Sequence, residues 1–101
     1  MKEKVPVMKH IFILNPAAGK SDQTPRFTQD IERICGARGL DYEICVSKAP
    51  GDCRALARRA AESGQEVRLY ACGGDGTLNE VVCGIAGFEN AAVTHLSLIH
   101  I

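Results

Sequence analysis

The residues best equipped for chemistry in this 101-residue chain are Gly73-Gly74-Asp75-Gly76-Thr77, followed directly by Leu78-Asn79-Glu80. Three glycines, a carboxylate and a hydroxyl stand between an apolar run and an amphipathic one. Glycine lets backbone approach a ligand and tolerates positive φ. A helix N-terminus adds unpaired N–H groups and partial positive charge, so the segment reads as a phosphate cradle. Its glycines are not spaced as the G-x-G-x-x-G of dinucleotide folds. Thr77 to Glu80 also spells a capping box, with Thr77 capping the helix and Glu80 reaching back. That accounts for Thr77 and Glu80 without a ligand. It does not account for Gly74, Gly76 and an aspartate expected on the buried side of the turn.

A second small-residue loop is Asn15-Pro16-Ala17-Ala18-Gly19-Lys20-Ser21. Gly19-Lys20-Ser21 suggests a P-loop, but that motif needs a glycine where Leu14 stands, so the match fails. What remains is a strand-to-helix connection opened by an asparagine that can both donate and accept. Ser47 ends another apolar run and reads as a turn hydroxyl or a ligand contact. Arg54, Arg58 and Arg59 read as a solvated helix face or a basic surface toward acidic lipid. His10 reads as a strand-edge residue, and His95 and His100 lack partners for metal or acid–base work.

The elements that must position these loops follow from periodicity. Residues 10–14, 42–46 and 67–72 are short apolar runs of the kind buried in parallel sheets, and residues 91–94 begin a fourth. Between them Phe27, Ile31, Ile34 and Cys35 recur at helical spacing, as do Cys53, Leu56, Ala57, Ala60 and Ala61, and then Leu78, Val81, Val82, Ile85 and Ala86. Thr24-Pro25 and Asp52 are helix-start signals; Gly39, Gly64 and Gly87 are stops. The order β-α-β-α-β-α-(β) predicts an α/β fold, a three-layer Rossmann-like domain with a parallel sheet. Ligands in such sheets bind outside the carboxyl ends of the strands, the rim that all three loops share.

Length suits one domain, and the balance of 12 basic against 12 acidic residues excludes a nucleic-acid binder working through a strong overall field. No apolar stretch reaches a membrane span or a signal-peptide core, so the chain reads as cytoplasmic. The five cysteines, Cys35, Cys45, Cys53, Cys72 and Cys83, form no CxxC pair and read as small buried hydrophobes in a reduced compartment.

Taken together, Ile13-Leu14-Asn15-Pro16-Ala17-Ala18-Gly19-Lys20, Ser47-Lys48-Ala49-Pro50-Gly51-Asp52 and Gly73 to Glu80 resemble the catalytic domain of the diacylglycerol kinase family, including bacterial lipid kinases. The glycine loop alone is shared with NAD kinases and, more loosely, phosphofructokinases; the Asn-Pro opening favours the lipid kinases. The resemblance implies phosphoryl transfer from ATP, with Mg²⁺, to a lipid hydroxyl at the inner membrane surface. By it, Asn15, Pro16, Ala17, Ala18 and Gly19 line the nucleotide site, with Ser47 where the family usually has threonine. Gly73, Gly74, Asp75, Gly76, Thr77, Leu78 and Asn79 hold the ATP phosphates, and Asp75 turns toward the metal or its waters. The family continues with a Gly-Thr-x-Asn-Asp segment and a β-rich domain carrying the metal ligands and general base. We therefore expect residues 8–95 to be the nucleotide-binding part of a lipid kinase, truncated before that domain, and 96–101 to be a tail foreign to it. The competing expectations are an NAD or sphingoid-base kinase and a non-catalytic nucleotide-binding module.

Overall fold

The computed structural model describes residues 8–16 and 24–96. Its elements alternate as expected: β1 (Lys9–Leu14), α1 (Thr24–Arg38), β2 (Tyr42–Val46), α2 (Asp52–Glu62), β3 (Val67–Cys72), α3 (Asp75–Gly84) and β4 (Ala91–Leu96). The four strands are all parallel in the order β2-β1-β3-β4. The fourth strand runs to Leu96, which pairs with Cys72.

That order explains the layers. The first crossover steps one way from β1, and the next two step the other way. Crossovers of constant hand then place α1 on one face and α2 with α3 on the opposite face. Side chains alternate along each strand, so β1 serves both layers. Ile11 and Ile13 join Cys53, Ala57, Val67, Leu69, Ala71 and Val81 beneath α2 and α3. Phe12 and Leu14 join Phe27, Ile31, Cys35 and Cys72 beneath α1. Each fully buried aliphatic side chain here contributes about 1.5–3 kcal/mol relative to exposure.

Several local expectations change. Ile34 and Val82, assigned to apolar stripes, are exposed. Helix α3 ends at Gly84 rather than Gly87, and Gly87 takes φ 88° in the turn beyond. Gly84 faces α2 so closely that a Cβ there would lie 2.5 Å from the Arg54 carbonyl oxygen and 2.9 Å from the Ala57 Cβ. A glycine needed for helix contact thus looks, in sequence, like any other helical glycine. His10 lies in β1, an interior strand, where its Nδ1 is 2.8 Å from the Tyr70 hydroxyl.

Candidate functional site

The chain reverses its direction across the sheet between β1 and β3. Their carboxyl ends are the topological switch point, where neighbouring loops diverge and leave a crevice. Asn15 follows β1 and Gly73 follows β3, and the Asn15 N–H donates to the Cys72 carbonyl at 3.1 Å. On the other side the Ser47 N–H donates to the Leu14 carbonyl at 2.8 Å. The three loops singled out from the sequence therefore leave one rim together.

Side chains connect them. Asn15 Nδ2 donates to Thr77 Oγ1 at 3.1 Å, and Ser47 Oγ donates to Asn15 Oδ1 at 3.4 Å. Ser47 and Thr77 are both buried. Asn15 uses the two ends of its amide to tie the loop after β2 to the first turn of α3. Thr77 is accordingly not the helix cap. Helix α3 begins two residues earlier, at Asp75, with Gly74 in extended backbone as N-cap and no side-chain cap. The capping box fails because Thr77 already lies inside the helix and its oxygen is taken by Asn15. Glu80 does not reach back either; its Oε1 accepts from the Arg54 N–H of α2 at 3.3 Å.

The glycines behave unexpectedly. Neither Gly74 nor Gly76 has positive φ, so the conformational argument made from sequence does not apply to them. A Cβ built on either meets no described atom within 4 Å, so the described residues give no packing reason for glycine at these two positions. The first turn of α3 also leaves donors available. Leu78 N–H bonds back to the Gly74 carbonyl, while the Gly74, Asp75, Gly76 and Thr77 N–H groups bond no other described residue. Asp75 is exposed on the rim rather than buried.

The two helix starts on this rim differ. At α2, Gly51 is N-cap in the left-handed region, with φ 90°. Asp52, expected to cap, instead closes the preceding turn by accepting from the Lys48 and Ala49 N–H groups at 2.8 and 3.1 Å. With Glu80 on the Arg54 N–H, the α2 start carries two carboxylates. Between the loops lies a cleft of about 440 Å³, lined by Asn15, Pro16, Ser47, Lys48, Ala49, Pro50, Cys53 and Glu80. Lys48, Cys53 and Glu80 were not among the expected site residues, although Lys48 directly follows Ser47 in the motif. Of the expected set, Leu78 packs against the core and Asn79 is exposed. Ala17, Ala18 and Gly19 lie outside the described residues.

His95 has a main-chain partner, its Nε2 lying 2.9 Å from the Gly73 carbonyl oxygen. The thiols carry no sign of nucleophilic use. Burial pushes the thiol pKa values of Cys35, Cys45 and Cys53 upward, and that of Cys72 up to about 12. Cys83 is exposed, contrary to its reading as a small buried hydrophobe. Among the described residues no group of three or more His, Cys, Asp or Glu could hold a metal, and no helix is long and apolar enough to cross a membrane.

A four-stranded parallel sheet, helices on both faces and a glycine loop at the switch point define an α/β domain with two helix N-termini on one rim. The chain belongs to the diacylglycerol kinase catalytic domain family, whose pattern it matches over residues 9–99. It is 40% identical over 78 residues to a diacylglycerol kinase of Staphylococcus aureus, covering 77% of this chain and 24% of that protein. The corresponding enzyme of Staphylococcus saprophyticus is 38% identical over 78 residues, covering 77% and 25%. A crystal structure of a diacylglycerol kinase from Bacillus anthracis superposes with a TM-score of 0.67 at 27% identity, covering 93% of this chain and 35% of that one. The chain spans about a quarter of the length of these curated relatives.

Proposed function

We propose that this chain is the nucleotide-binding part of an ATP-dependent lipid kinase. In the complete enzyme, the γ-phosphate of ATP passes to the hydroxyl of diacylglycerol or a related lipid. The observation that carries the proposal is the pair of glycines, Gly74 and Gly76. Among the described residues neither is required by φ or by packing, which supports reading the open space beside them as room for a ligand. Uncapped N–H groups on the same turn match that space to phosphate oxygens. Phosphoryl transfer depends mainly on positioning and on stabilising charge over those oxygens, and fixed backbone donors supply the second.

Asp75 is the residue here that would hold Mg²⁺, directly or through its waters. Two unit charges of like sign at roughly 5 Å repel by about 3 kcal/mol at an effective dielectric constant near 20. A carboxylate beside a triphosphate is therefore unfavourable unless a cation lies between them. Magnesium suits one carboxylate plus phosphate oxygens, keeping water in its remaining positions. When bound it would neutralise charge on the transferring phosphate. Asn15, Ser47 and Thr77 act on the loops: their hydrogen bonds hold the rim in register before nucleotide arrives. Residues 8–95 fit the nucleotide-binding role, and the general base and further metal ligands belong to a segment outside this chain.

The test is labelled ATP and Mg²⁺ with the complete gene product, offered diacylglycerol, a sphingoid base and NAD as separate acceptors. Labelled phosphatidic acid that disappears in Asp75→Ala is the expected result. Label on NAD or the sphingoid base alone would move the proposal to those substrates. Saturable ATP binding without any labelled product would reduce it to a nucleotide-binding module.

A further inference from the structure

The first residue of the glycine loop is held from the fourth strand at both of its main-chain polar groups. Gly73 is buried at the end of β3. Its N–H donates to the Leu96 carbonyl at 3.0 Å, and its carbonyl oxygen lies 2.9 Å from His95 Nε2. The first contact is main chain to main chain and any residue at position 96 could make it. The second depends on one side chain. A carbonyl only accepts, so His95 must carry its proton on Nε2 and donate. Alternation along β4 places His95 on the same sheet face as Ala91 and Val93, which pack into the cluster beneath α2 and α3. The imidazole therefore stands on the side of the sheet where α3 begins.

No described peptide is cis, so the carbonyl of Gly73 and the N–H of Gly74 point in opposite directions from one rigid plane. Fixing the carbonyl toward His95 fixes the N–H away from it. Gly73 and Gly74 have no side chains to restrict this plane, and backbone freedom is greatest at such a pair. We propose that His95 is a positioning residue of the phosphate cradle, aiming the Gly74 N–H by holding the Gly73 carbonyl. The inference rests on the nucleotide reading above for what that N–H meets. His95 itself makes no contact with the transferred group, and the role needs a donor at the imidazole Nε2 position rather than a charge.

The test uses the 101-residue chain with His95→Ala and His95→Gln, the amide nitrogen of glutamine replacing Nε2 as donor. Three quantities are read: ATP affinity by calorimetry, the thermal midpoint, and the backbone NMR shifts of the Gly73 carbonyl and Gly74 amide. His95→Ala is expected to weaken ATP binding about three- to tenfold, the range spanned by one neutral hydrogen bond, and to move both shifts. His95→Gln should return affinity to within about twofold of the parent, since it restores the single donor. Equal affinity in the alanine variant overturns the proposal. So does an affinity loss that glutamine leaves uncorrected while both variants melt with the parent. If the parent binds no ATP, the nucleotide reading falls, and the shifts still decide the role of His95. Unmoved Gly73 and Gly74 resonances in His95→Ala would then overturn it, and displaced ones restored by glutamine would uphold it.

Discussion

Gly76→Ala should stabilise the free protein and abolish its nucleotide binding. Gly76 is the second residue of α3, exposed, without positive φ, and its added methyl meets no described atom within 4 Å. Alanine is favoured over glycine by about 1 kcal/mol in a helix interior, and roughly half of that applies in a first turn. A domain of this size shifts its melting midpoint by about 4–8 °C per kcal/mol, so the midpoint should rise by about 2–4 °C. Binding moves the other way. A phosphate oxygen accepting from this turn approaches backbone nitrogen to about 2.9 Å, which leaves no room for a methyl beside it. We expect ATP affinity to fall at least about 100-fold, equivalent to roughly 2.7 kcal/mol. Scanning calorimetry and isothermal titration on the same preparation read both effects. Opposite signs exclude the trivial explanation that the variant is merely misfolded. An alanine variant that binds ATP within about threefold of the parent would refute the claim that the ligand occupies this space.

Gly84→Ala should do the reverse of Gly76→Ala in stability. The same helix gain is outweighed by a Cβ 2.5 Å from the Arg54 carbonyl oxygen, for a net loss of about 1–3 kcal/mol, and chemical denaturation at parental stability would disprove the close α2–α3 contact. Thr77→Val keeps the shape but removes the acceptor of the Asn15 amide; it should cost about 1–3 kcal/mol and weaken ATP binding, and an unchanged midpoint would argue against the Asn15 tie. Stability should also fall in alkali. The Cys72 thiol ionises near 9.0 when unfolded but is pushed up to about 12 by burial, so above pH 9 the unfolded state releases a proton that the folded state keeps. That site alone should lower stability by about 1.4 kcal/mol per pH unit between pH 9 and 12. The other raised groups, Cys35, Cys45, Cys53 and Tyr70, act in the same direction, and a flat profile from pH 8 to 10.5 in urea titrations would contradict the burial argument.

Strand and helix order was legible because each strand is a short apolar run bounded by turn residues. Residues 11–14 are buried on both faces, and 67–72 alternate buried with half-buried before ending in buried Ala71 and Cys72. The three rim loops were legible as well, since parallel α/β order sends all of them to one end of the sheet. What stayed hidden depends on tertiary register. Thr77 and Glu80 fit a capping box by spacing, but where a helix starts is decided by which residue first adopts helical backbone. With Gly74 extended and Asp75 helical, Thr77 falls inside, free to accept from Asn15 and not free to cap. Glu80 and Arg54 are 26 residues apart, so no local spacing rule could pair them. His95 shows no partner for metal or acid–base work in the sequence, and the partner it has is a main-chain carbonyl that sequence patterns do not mark.

These tertiary contacts also bear on which helix start takes the phosphates. Both α2 and α3 open on the rim, and both present a partial positive end. At α2 the Glu80 carboxylate already occupies the Arg54 N–H, and the Asp52 carboxylate sits one turn away in the closing loop. A triphosphate placed there would displace one carboxylate and face the other. At α3 the first-turn donors take no side-chain hydrogen bond from the described residues, and Asp75 is the one carboxylate in that turn. In the proposed ATP complex the cleft of about 440 Å³ between the loops, with Glu80 in its wall, would take the uncharged part of the nucleotide, and Glu80 would work against anions at α2 and favour phosphates at α3. Glu80→Gln should then raise the affinity of the chain for free triphosphate while changing that for adenosine little.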